Sequence, residues 1–118
     1  MTLTKFIKKI NLNERISFNE TITIIGENYN YHPTEFKNGL GNDTLVNAAG
    51  TNEGSCRIFA FALLNKLSES HTLNLFGDYY HQDVLLTPDG TDHANIRTFI
   101  KYGWAGISFN GIALNAIV

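Results

Sequence analysis

The one cysteine of the chain, Cys56, stands where a polar, glycine-containing loop meets an apolar segment, in "GTNEGSCRIFAFALL". In the first turn of a helix, amide groups and the helix dipole stabilise a thiolate, which is one way in which a nucleophile is activated. His81 and His93 are the histidines that we consider as its base. The alternative is a small buried residue that fills space in the core. We predict that Cys56 is buried and reacts slowly with thiol reagents.

The segment "GSC" before a helix is similar to the nucleophile loop of papain-like hydrolases. Two residues depart from that pattern: Arg57 stands where the family has an aromatic residue, and Gly50 occupies the position of its upstream glutamine. The histidines of this chain also fall in or beside predicted helices, whereas such peptidases present theirs from a sheet. An imidazole nitrogen within about 4 Å of the Cys56 sulfur would favour a catalytic role over simple packing, because base and nucleophile must be near hydrogen-bond reach.

A second set of residues has the chemistry of a metal site. His81, Asp83, Asp92 and His93 offer two imidazoles and two carboxylates on either side of the "LLTPDG" turn. Divalent metals bind such donors, but the spacing matches no known ligand signature. Asp92 is equally suited to cap the helix that follows it. We therefore predict neither a metal nor a cofactor.

A third set consists of polar residues inside segments that otherwise have the pattern of a core, namely Asn47, Asn52, Glu53, Ser55 and Arg97. Buried polar groups must be paired, so these residues either bond to one another or bind a ligand. We favour a hydrogen-bonded clasp between the loop before the apolar helix and the helix that contains "NIR". We predict a salt bridge between Glu53 and Arg97 as its centre.

The composition is that of one globular domain: 118 residues, 43% of them hydrophobic, with two prolines. A single cysteine cannot form an internal disulfide, which is typical of a reducing compartment. No apolar run has the length of a membrane span, and the charged N-terminus does not have the pattern of a secretory signal. The first 15 residues carry a net charge of +3 and the remainder −5. The net negative charge of residues 16–118 disfavours nucleic-acid binding. We interpret the basic residues of the first 15 positions as the solvated face of a helix.

The elements that must position these residues follow from periodicity and capping. Residues 1–16 form a basic amphipathic helix and a connector, and residues 17–118 form the main part of the domain. Ser17 and Glu20 form a capping box that opens a second helix. Residues 55–67 are apolar on nearly every side and predict a central helix. In "ISFNGIAL", Asn110-Gly111 predicts a type I′ turn and a C-terminal β-hairpin. The fold class is therefore α+β, a single helix-dominated domain with small β-hairpin elements.

Five motifs, in order along the chain, resemble the HopJ family of type III effector proteins. They are "FKNG", "NAAGTNEGSCRIFAFALLNKLS", "TLNLFGDYYHQDVL", "DGTDHANIRTFIKYGW" and "ISFNG". The resemblance extends from about Ser17 to Leu114. It implies a small bacterial protein delivered into a host cell by a type III secretion system, and it implies no reaction, substrate or cofactor.

We expect a binding protein that acts through "TNEGS", "YYHQD" and "DHANIR", because these stretches hold polar residues at helix ends that local structure does not require. The residues expected to contact a protein or small-molecule partner, in the bacterial cytoplasm or in a host cell, are Asn52, Glu53, Asp83, Asp92 and Arg97. The alternative is a small hydrolase or transferase that uses Cys56, with His81 or His93 as its base.

Overall fold

The computed structural model describes residues 1–117 and has the predicted α+β class. The helices are α1 (Leu3–Asn11), α2 (Phe18–Asn28), α3 (Glu53–Leu64), α4 (Glu69–Asn74), a π-helix (Tyr79–Val84) and α5 (Ala94–Tyr102). The strands are β1 (Tyr29–Tyr31), β2 (Phe36–Asn38), β3 (Leu45–Asn47), β4 (Ser108–Phe109) and β5 (Leu114–Ala116).

The apolar helix α3 lies in the middle of the fold, as its sequence predicts. Phe59 is fully buried, and its ring packs against four aromatic rings. Those rings belong to Phe36, Phe76, Phe99 and Trp104. Although α3 is apolar, no helix within residues 1–117 is both long and apolar enough to cross a membrane.

The first two helices form as predicted. Phe6 and Ile10 of α1 are fully buried, while Lys8 lies on the outer face. The capping box at the start of α2 is present: the Ser17 hydroxyl accepts from the Glu20 amide at 3.0 Å, and the Glu20 carboxylate accepts from the Ser17 amide at 3.1 Å. These bonds satisfy amide groups that a helix start leaves free, and they fix the position of Phe18, the first residue of α2.

The predicted C-terminal hairpin is wrong. β4 pairs with β2 in a three-stranded sheet of order β3-β2-β4, while β5 pairs with β1 in a separate two-stranded sheet. A type I′ turn requires a positive φ at both central residues, and within residues 1–117 neither Asn110 nor Gly111 has one. Phe109 instead stacks on Phe36 at a centroid distance of 5.3 Å, and Leu114 enters the core. Phe109 is partly buried against one sheet and Leu114 is buried beside the other, so the two strands belong to different sheets.

Candidate functional site

Cys56 is buried, as predicted, with 1% of its surface exposed. Its sulfur donates to the Thr34 carbonyl oxygen at 3.6 Å. Burial raises the pKa of the thiol, because a thiolate is poorly solvated there. Within residues 1–117 no histidine ring hydrogen-bonds this sulfur. The thiol therefore lacks both features of an activated nucleophile, a lowered pKa and an adjacent base.

The predicted salt bridge between Glu53 and Arg97 is wrong. The Glu53 carboxylate accepts a hydrogen bond from the Tyr31 hydroxyl at 3.3 Å, and Arg57 lies over the Tyr31 ring at 3.9 Å. Burial is the largest cause that raises the pKa of Tyr31. The ion-pair partner of Arg97 is Asp92, at 2.6 Å. Glu53 and Arg97 therefore have different partners: the Glu53 carboxylate bonds to Tyr31, and the Arg97 guanidinium bonds to Asp92.

The clasp between the loop before α3 and helix α5 exists, but asparagine side chains form it. Asn47 Oδ1 accepts from Asn52 Nδ2 at 2.7 Å and from Asn95 Nδ2 at 2.8 Å. Asn95 Oδ1 in turn accepts from Asn47 Nδ2 at 3.2 Å and from Asn38 Nδ2 at 3.1 Å. Asn38 and Asn95 were not among the sequence-predicted residues. Asn38 lies in "FKNGL" and Asn95 in "HANIR", which are not apolar segments, so only the meeting of these side chains in the fold identifies them.

Three of the predicted polar residues meet at the start of α5. His93 Nε2 lies 3.0 Å from Asp83 Oδ2 and 3.7 Å from Asp92 Oδ2. Asp83 comes from the π-helix, and Asp92 comes from the loop that leads into α5. All three side chains are accessible, with 47%, 57% and 28% exposure for Asp83, Asp92 and His93. π-Helices are rare, and they occur frequently at functional sites.

Arg97 holds the loop before α5 in place. Its Nε donates to the Asp92 carbonyl oxygen at 2.6 Å, and its Nη1 donates to the Thr87 carbonyl oxygen at 2.7 Å. Its Nη2 donates to Asp92 Oδ1 at 2.6 Å. This hydrogen bond is the largest cause that lowers the pKa of Asp92. Asp92 does not cap the helix: the N-cap is His93, in a left-handed conformation with φ 51°, and its side chain makes no cap bond.

His81 lies apart from His93, although it is only two residues from Asp83. Its Nε2 lies 2.8 Å from Asn74 Oδ1, and burial lowers the pKa of the imidazole. Residues two apart on a helix point in different directions, so His81 and Asp83 face different neighbours.

An aromatic contact path links His93 to the start of α3. The Tyr79 ring lies 5.1 Å from the His93 ring and 5.0 Å from the Phe18 ring, centroid to centroid. Phe18 packs against Gly54, where a Cβ would lie 2.8 Å from Phe18 Cζ. Tyr79 is 43% exposed and borders a cavity of about 440 Å³ between the start of α2 and the π-helix. We call Tyr79, Asp83, Asp92, His93 and Arg97 the His93 surface.

Comparison with known proteins agrees with the sequence motifs. The model of the family described as HopJ type III effector protein matches residues 3–114. This match includes α1, which the motifs alone leave outside the resemblance. The structure is similar to the "Crystal structure of unknown function protein VPA0580", with 45% identity and a TM-score of 0.93, over 99% of this chain and 95% of that chain. No curated protein matches the chain.

Proposed function

The chain belongs to the HopJ type III effector family, and we propose that it acts by binding a protein partner through the His93 surface. The observation that carries the proposal is the concentration of exposed, mutually oriented functional groups there. The groups are the carboxylates of Asp83 and Asp92, the His93 imidazole and the exposed Tyr79 ring, while Arg97, whose side chain is 16% exposed, orients Asp92. Tyrosine is enriched in protein interfaces, where it supplies a large contact area and a directed hydrogen bond.

The position of the groups supports the same proposal. Arg97 bonds two carbonyl groups of the loop before α5, so the loop and Asp92 are ordered before any partner arrives. A preordered surface loses less conformational entropy on binding. The cavity beside Tyr79 gives an inserted side chain a place to bind, and hot-spot residues typically fill such pockets.

The properties of Cys56 support binding over cysteine chemistry. Its sulfur is buried against the Thr34 carbonyl group, and its pKa is raised by burial. A hydrolase or transferase needs an accessible thiolate with a base in reach. The side chains of Asp83, Asp92 and His93, in contrast, are accessible.

We also propose that the partner is met in a host cell after type III delivery, in line with the family description. The test is a translocation reporter fused to the C-terminus of the full chain. A reporter signal in host cells is expected with an intact secretion system. The same signal from bacteria that lack the system, or no signal from either strain, contradicts delivery by this route.

The binding proposal is tested by comparing three baits in bacterial and eukaryotic lysates. The baits are the wild-type chain, the surface variant Asp83→Asn/His93→Gln and the matched control Asp43→Asn/His71→Gln. Asp43 is exposed and ion-paired to Lys101, and His71 hydrogen-bonds Asn13. The control therefore makes the same chemical changes outside the His93 surface.

We expect one or more proteins to be retained by the wild type and by the control, and lost from the surface variant. Circular dichroism of each bait checks that it is folded. Partners retained equally by all three baits, or none retained by the wild type, contradict the proposal.

A further inference from the structure

We propose that the His93 surface binds a divalent first-row transition metal ion, Mn²⁺ or Zn²⁺, with Asp83, Asp92 and His93 as its protein ligands. The inference rests on the function proposed for the same surface and names a ligand for it. The two proposals fail separately, because metal binding is measured on the isolated chain without any partner.

The ligand atoms already lie near the spacing that a metal requires. One nitrogen or oxygen atom from each of the three residues falls within 4.8 Å of the others. Metal–ligand bonds of about 2.1 Å place neighbouring ligand atoms roughly 3 to 3.5 Å apart. His93 Nε2 lies 3.0 Å from Asp83 Oδ2 and 3.7 Å from Asp92 Oδ2, so two of the three separations are already near this range.

The two oxygens of Asp92 have separate partners. Oδ1 accepts from Arg97 Nη2 at 2.6 Å, and Oδ2 faces His93 Nε2 at 3.7 Å. A hydrogen bond to the non-ligating oxygen orients a carboxylate ligand in the way that outer-shell residues do in metal sites. Arg97 is itself held by the Asp92 and Thr87 carbonyl groups, so it is a positioning residue.

Helix capping does not account for this arrangement. His93 occupies the N-cap position of α5 without a side-chain cap bond, and Asp92 precedes it. The helices α1, α2 and α4, in contrast, each have a hydroxyl that caps an amide of the first turn. Instead, the His93 ring faces Asp83 and Asp92, and the two oxygens of Asp92 are divided between Arg97 and His93.

The donor set selects the class of ion. One imidazole and two carboxylates suit Mn²⁺ and Zn²⁺, and three protein ligands leave open positions for water or for a partner's side chain. The two carboxylates carry a charge of −2, and the neighbouring Arg97 reduces the attraction for a cation. We therefore expect dissociation constants in the micromolar range, weaker than those of closed structural sites.

The test is a calorimetric titration of the metal-stripped full chain with Mn²⁺ and, separately, Zn²⁺. We expect one site per chain and a loss of at least tenfold in affinity for Asp83→Asn and for His93→Gln. The matched variants Asp43→Asn and His71→Gln should bind as the wild type does. Pulsed electron paramagnetic resonance of the Mn²⁺ complex should show coupling to an imidazole nitrogen, which His93→Gln removes.

The proposal is overturned if neither ion binds at millimolar concentration. It is also overturned if binding is unchanged in Asp83→Asn and His93→Gln, since the ion then occupies another site. Unfolding curves without metal show whether each variant is folded. A loss of metal binding is interpreted only for variants whose stability without metal equals that of the controls.

Discussion

Replacement of Asn47 by alanine tests the buried asparagine clasp that joins the loop before α3 to α5. Asn47 is 3% exposed, and its Oδ1 is the acceptor for Asn95 Nδ2 at 2.8 Å. The replacement leaves Asn95 Nδ2 as a buried donor without this acceptor. An unsatisfied buried polar group costs about 1 to 3 kcal/mol, and the lost hydrogen bond contributes about 1 kcal/mol more. We expect the free energy of unfolding to fall by about 2 to 4 kcal/mol.

The assay is equilibrium unfolding in urea, with Asn30→Ala as the matched control. Asn30 is an exposed asparagine in the short strand β1, so its replacement should change the free energy of unfolding by less than about 0.5 kcal/mol. The double variant Asn47→Ala/Asn95→Ala removes both partners. It should cost about 1 to 2 kcal/mol less than the sum of the single variants, because the Asn47–Asn95 pair is then removed as a whole and neither amide of that pair is left facing a missing partner.

Two results would refute this reasoning. One is a change for Asn47→Ala no larger than that for Asn30→Ala. The other is strict additivity of Asn47→Ala and Asn95→Ala, which would mean that the two amides contribute independently.

Three further predictions concern the thiol, two glycines and acid stability. Cys56 should be labelled slowly by iodoacetamide at neutral pH in the folded chain and rapidly in urea; fast native labelling contradicts its raised pKa. Gly26→Ala should stabilise α2 by about 0.5 to 1 kcal/mol, since nothing lies within 4 Å of the new Cβ. Gly77→Ala should destabilise the folded chain by about 2 kcal/mol or more, because Gly77 has φ +60° and a Cβ there would lie 2.7 Å from the Phe18 amide nitrogen. Equal urea midpoints for Gly26→Ala and Gly77→Ala would contradict these two predictions. The hydrogen bond from Lys9 lowers the pKa of Glu20, so its contribution to the free energy of unfolding is present above the ordinary carboxyl pKa and is lost as the pH falls. In urea titrations, Lys9→Met should therefore flatten the loss of stability between about pH 5 and pH 3. An unchanged pH profile would contradict this prediction.

The elements that could be predicted from the sequence are those fixed by nearby residues. The capping box of Ser17 and Glu20 and the apolar periodicity of α3 act within one or two helical turns, and both predictions are confirmed. The C-terminal hairpin is a wrong prediction because the partners of these strands, β2 and β1, lie 71 to 87 residues earlier in the chain. A local turn preference does not outweigh the packing of Phe109 and Leu114 against those partners.

The polar residues were recognised better than their pairings. Asp83, Asp92, His93 and Arg97 meet on one surface, but Glu53 pairs with Tyr31, and His81 faces Asn74. Residue type shows which side chains need partners, while the choice of partner depends on distances that only the folded chain sets. Tyr79, which joins the start of α2 to His93 through ring contacts, has no local signal that separates it from Tyr80.

Site-specific photo-crosslinking from the His93 surface tests the binding proposal most directly. A photoreactive amino acid is placed at Tyr79 in one chain and at Leu64 in a control chain. Leu64 is exposed and ends α3, at the opposite end of that helix from Gly54. Our account predicts that irradiation links a defined protein to position 79 and not to position 64, and that Asp83→Asn/His93→Gln abolishes the product. Crosslinking of the same protein from position 64 alone, or from neither position, would contradict it.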